Sequence, residues 1–135
     1  MKGRIVDSGF IPDGRATTVV KETKYGTFGH TVLCDEEDNI NEWDGYLFAE
    51  YQCDLQALRV KNKRMQQRLV GMEQMLALVP QDSDVYKTLH DFKYSVERQL
   101  QLDKALYKKM DEGYPEFVEN ALQARSKFRK ARNKE

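Results

Sequence analysis

Cysteine is almost absent from this chain: its 135 residues include only Cys34 and Cys53. Two thiols cannot build a disulfide scaffold or complete a four-ligand cysteine zinc site, and they read as buried or idle thiols of a reducing compartment. No apolar run approaches the ~20 residues of a membrane span, which excludes a transmembrane helix. The opening segment, residues 1–14, lacks both a continuous apolar stretch and a small-residue cleavage site, so no secretory leader is expected. Net charge is missing too, since 22 Lys/Arg balance 22 Asp/Glu. A balanced chain is not expected to bind DNA or RNA in the general way of a basic protein. Gly26-Thr27-Phe28-Gly29 is not a phosphate-binding loop, because no GK[ST] or GxGxxG motif follows a strand and opens a helix. Internal repeats and low-complexity tracts are absent as well.

The charge that is present is unevenly spread. Residues 1–50 carry five Lys/Arg against ten Asp/Glu, whereas residues 123–135 carry six against Glu135 alone. Opposite ends of this kind suggest contact within or between subunits, or a basic tail awaiting an anion.

Three strands are predicted first: Gly3–Ile11, then Arg15–Thr23 with its β-branched residues, then Thr27–Cys34. Pro12-Asp13-Gly14 and Lys24-Tyr25-Gly26 supply the turns of an antiparallel meander. Asp35–Asp44 is acidic and turn-like. From Tyr46 the period changes: Tyr51, Leu55, Leu58, Asn62, Met65, Leu69, Met72, Leu76 and Val79 recur in steps of four and three, as in a helix packed on a helix. Pro80 should end that helix, and Asp82 or Ser83 should cap the next, whose stripe is Val85, Leu89, Phe92, Val96, Leu100, Tyr107 and Met110. Gly113 reads as its terminator and Pro115 as the start of a third helix. The expected fold class is α+β. A small N-terminal antiparallel β-sheet (1–45) is followed by a long antiparallel αα-hairpin (46–112) and a short C-terminal helix (115–133), all in a single domain. The hairpin is longer than so small a sheet can cover, which points to a homo-oligomer. Asn62, inside an apolar stripe, would fix register if it paired with its own copy.

Catalytic patterns are hard to find. His30, beside Thr27 and Thr31, could serve as a general base, against the plainer reading of a half-exposed strand histidine. His90 reads as facing solvent or a partner chain. The cluster Asp35, Glu36, Glu37, Asp38 lacks EF-hand spacing and reads as a solvated loop. Tyr25, Phe28 and Tyr46 are stacking platforms for a purine if they line one pocket, and core residues if they do not. Arg15, Arg59 and the tail arginines could meet phosphate. The candidate ligand-binding residues are therefore Arg15, Thr17, Tyr25, Thr27, Phe28, His30 and Arg59, with no catalytic residue, no metal and no cofactor.

A strand containing Lys2–Val6 (KGRIV), the segment Thr23–Asp38 (TKYGTFGHTVLCDEED), and Gly45–Glu50 (GYLFAE) running into long paired helices resemble small phage and prophage proteins of the first Thoeris anti-defence family. The resemblance covers Met1 to about Arg68. It implies an oligomeric sponge, a dimer or hexamer, that sequesters cyclic ADP-ribose isomers and in some members cyclic di- or trinucleotides. Such a protein would work in the cytoplasm of the bacterial host, with a nucleotide-derived signalling molecule as partner and no membrane. The second function class is a helical interaction or structural protein, in which the hairpin binds a protein partner. A metal-assisted hydrolase using His30 and the acidic loop is the third.

Overall fold

The β-branched run Thr17–Val20 lies in Ala16–Thr23, the central strand of a three-stranded antiparallel sheet in the order β1-β2-β3. The computed structural model describes residues 3–11, 16–33 and 42–133. β1 (Gly3–Ile11) pairs with β2 (Ala16–Thr23), and β2 with β3 (Gly26–Leu33). The Lys24-Tyr25 turn closes through Thr23, whose hydroxyl donates to the Gly26 carbonyl (2.9 Å) and accepts from the Tyr25 N–H (3.1 Å). Gly26 has φ 133°, a conformation that residues with a Cβ rarely adopt. Pairing between β1 and β2 shifts register between Ile5 and Asp7, a bulge at Val6 on that edge. The Pro12–Gly14 turn, Arg15, Cys34 and the Asp35–Asp38 cluster lie outside the described residues.

Two helices follow: α1 (Glu42–Leu78) and α2 (Asp84–Asn133). Together with the sheet they make the chain α+β. Pro80 stops α1 as expected. Ser83 is the N-cap of α2: its hydroxyl accepts the Tyr86 N–H (3.2 Å) and donates to the Pro80 carbonyl (2.6 Å).

The expected break at Gly113 does not occur. α2 runs unbroken through Gly113 and Pro115, so the short third helix is the end of the second. Proline removes one helical hydrogen bond and crowds the preceding turn, but neighbouring contacts hold this stretch. Tyr51 stacks on Phe117 (ring centroids 4.7 Å apart) and leans on Tyr114 (5.3 Å), while Phe48 meets Phe117 edge-on at 5.9 Å. The Tyr51 hydroxyl also donates to the Met110 carbonyl at 2.7 Å.

The chain divides into two compact units, Met1–Ala57 with Met110–Glu135, and Leu58–Lys109. In the first unit the sheet's inner face buries Val19 against Ala49 and Cys53 of α1, ringed by Ile5, Phe28, Val32 and Tyr46. In the second unit the helices run antiparallel around Leu69, Met72, Val96 and Leu100, with Met65 and Leu89 beside them. Asn62 serves this hairpin: its amide donates to the Asp103 carbonyl at 3.4 Å. Asp103 also accepts from Gln99 (3.1 Å) and faces Lys61 Nζ, 3.0 Å from its other oxygen. On the flank of the same unit, Lys93 bridges Glu97 (3.3 Å) and Glu73 (3.5 Å).

Candidate functional site

The sheet–helix junction of the first unit holds the most unusual polar group. Thr17, Val19 and Lys21 alternate along β2 and so share its inner face, where Lys21 is only 5% exposed. Glu50 and Asp54, one helical turn apart on α1, meet it there. Lys21 Nζ lies 2.8 Å from Asp54 and 3.3 Å from Glu50. Burial alone would pull the amine's pKa down. The hydrogen bond and charge of Asp54, joined by Glu50, outweigh it and hold Lys21 above the ordinary lysine value. Next to this network the buried Cys53 thiol donates to the carbonyls of Phe28 (3.3 Å) and Val19 (3.5 Å). Burial first, and then the Asp54 charge, push that thiol up, so it stays protonated at neutral pH. The amine is thus engaged by carboxylates and the thiol by carbonyls, which makes the junction a fastening.

Among the described residues of the first unit, the expected ligand residues fall on both faces of the sheet. Thr17 is buried, and a Cβ on Gly45 would lie 2.7 Å from the Thr17 Cβ, so this spot is filled by close approach of α1. Phe28 packs in the inner cluster, opposite Lys21 in register, and Tyr46 packs there too. His30 stands opposite Val19 on the same inner side, half-buried. Thr27 is exposed and pairs with Glu22 on the outer face, one position from Phe28 and pointing the other way. Tyr25 is half-buried in its turn. Arg59 is exposed and belongs to the second unit. Phe28 and Tyr46 therefore follow the core reading of the aromatics. The side chains of the basic tail from residue 125 on lie outside the described residues.

A concave surface forms in the second unit instead. Near the hairpin's end an open groove of about 440 Å³ is lined by Met75, Asp84, Val85, Thr88, Leu89 and Phe92. Val85 and Phe92 sit in the stripe expected to be core, yet they are 64% and 53% exposed, with Met75 at 56% and Leu78 at 87%. The groove offers four apolar side chains, the Thr88 hydroxyl and one carboxylate, with no thiol or imidazole among its lining residues. Such a surface takes up an apolar side chain of another polypeptide more readily than it holds a charged small molecule. The only sequence signal for it was the seven-residue spacing of Val85 and Phe92, which core packing also produces.

No helix among the described residues is long and apolar enough to cross a membrane. No protein-family model, curated protein or solved structure matches this chain.

Proposed function

We propose that this chain is a non-catalytic helical interaction protein that docks another polypeptide along the open side of its hairpin. The observation that carries the reading is the exposure of Val85 and Phe92 around the 440 Å³ groove. Water against so much contiguous apolar surface is costly, at ~25 cal/mol per Å², and a second surface relieves it. A photoreactive phenylalanine analogue placed at Phe92 should give covalent adducts on illumination in the expressing cell. The same analogue at Lys87, which is exposed on the far side of α2, should give none. Absence of adducts from both positions would overturn the reading.

A second reading, capture of an anionic nucleotide, has one observation in its favour. Residues 55–72 carry Arg59, Lys61, Lys63, Arg64 and Arg68 and no carboxylate. That is a concentrated source of guanidinium for phosphate, and it includes the predicted Arg59. In this reading the protein would be a sponge in the bacterial cytoplasm. A rise in melting temperature with cyclic ADP-ribose isomers or cyclic dinucleotides, lost in Arg59→Ala, would support it. An unmoved melting temperature across that panel removes it.

A further inference from the structure

We propose that the partner at this surface is a second copy of the chain, docked hairpin to hairpin with the two α2 helices antiparallel. The inference rests on the interaction reading above and names its occupant.

The surface of α2 carries a second stripe beside the buried one. Val85, Phe92, Gln99 and Leu106 recur every seven residues, and Thr88, Ser95 and Leu102 recur three positions after them. This is the spacing of a seam between two helices. Every one of these seven residues is exposed, while Leu89, Val96, Leu100 and Asp103, which face α1, are partly or fully buried. α2 thus has two seams, and among the described residues only one of them is filled.

The charges select the occupant and its direction. Asp84, Asp91 and Arg98 flank the open seam at the position just before Val85, Phe92 and Gln99, and all three are exposed. In an antiparallel pair such flanking residues meet their counterparts across the interface. A twofold axis near Ser95 sets Asp91 of each copy opposite Arg98 of the other. It also sets Val85 over Leu102, and Phe92 over Ser95. A parallel pair would set these residues beside the partner's positions 96 and 103, which are buried against α1, and would form no Asp91–Arg98 pair. The wider distribution agrees: residues 73–92 hold four Asp/Glu against one Lys, and residues 93–109 hold five Lys/Arg against two Asp/Glu. An antiparallel pair lays the acidic end of one hairpin on the basic end of the other, and a parallel pair stacks like on like. A single helix face that carries both complementary halves fits itself.

The test is sedimentation of the full chain over a range of concentrations, followed by charge exchange. The parent should approach twice 15.8 kDa as concentration rises. Phe92→Glu with Leu102→Glu should stay at one chain while keeping the parent's helical circular dichroism. Asp91→Arg alone and Arg98→Asp alone each create two repulsive pairs, and each should dissociate at least tenfold more readily. An equimolar mixture of those two single variants makes two attractive pairs again and should recover the parent's association. A parent that remains one chain at every concentration overturns the proposal, as does a dimer indifferent to Phe92→Glu/Leu102→Glu or a mixture that fails to recover. If Phe92 adducts form with another protein while the purified chain stays monomeric, the interaction reading survives and self-docking does not. If no adducts form at all, both fall.

Discussion

A lysine amine beneath a sheet is tolerated only where its charge is met, and Lys21 is met twice, by Asp54 at 2.8 Å and Glu50 at 3.3 Å. Lys21→Met removes the ammonium that meets Asp54 and Glu50. It should lower unfolding free energy toward the lower end of ~3–5 kcal/mol, because Glu50 is still 32% exposed to water. Lys21→Met combined with Asp54→Leu should recover much of that loss, since an apolar pair replaces a desolvated charged one. Denaturant midpoints of the parent and the two variants decide it. The pH dependence has a definite sign. Lys21 is held above its ordinary value of 10.5, so its contribution is complete below that pH and is lost as pH rises through the higher folded value. Tyr51, raised by burial and then by Asp111, pushes the same way. The melting temperature should therefore fall as pH rises through strong alkali, and less steeply in Lys21→Met. In a Cys34→Ser background Cys53 should resist alkylation at neutral pH in the folded chain and react once denaturant is added, because its thiol is buried and raised.

Glycines in one helix can have opposite effects. Gly45 and Gly71 both lie in α1, where alanine is ordinarily worth ~1 kcal/mol more than glycine. A Cβ at Gly71 meets nothing within 4 Å, so Gly71→Ala should stabilise by about 0.5–1 kcal/mol. A Cβ at Gly45 runs into Thr17, so Gly45→Ala should destabilise by more than that gain. Thermal melts of the two variants should shift in opposite directions. Most elements were legible in the sequence: Gly3–Ile11 was expected with those bounds, and α1 stops at Pro80 as it should. The end of α2 departs from the sequence expectation because Gly-Tyr-Pro at 113–115 is a strong local stop signal. The aromatic stacking on Tyr51 and Phe48 that overrides it joins residues some sixty apart, beyond the reach of local signals. The site was less legible. Thr17, Val19 and Lys21 alternate, so Lys21 could have been placed inward, yet a lysine in a strand ordinarily points to water. Val85 and Phe92 match a core stripe, and only their exposure in the structure separates a filled seam from an open one.

Across the whole molecule the zero net charge conceals a separation of signs along the chain. If antiparallel docking joins acidic and basic ends, association should weaken as salt is raised from low to about 1 M, where the screening length shrinks to ~3 Å. The apolar part of the seam should be insensitive to that change, so weakening should level off, and Asp91→Arg should show no comparable loss. Sedimentation in a salt series reads both effects.

The irregularity at Val6 gives the two rims of the sheet different fates in storage. β1 is bent there and carries Arg4 and Asp7, which spoil the template for any strand arriving from outside. β3, from Gly26 to Leu33, pairs regularly with β2 and contains no proline, no lysine and no acid. When a preparation ages or is warmed short of full melting, ordered aggregates would therefore recruit their next strand at the β3 rim, and β1 would be the last surface to join a fibril.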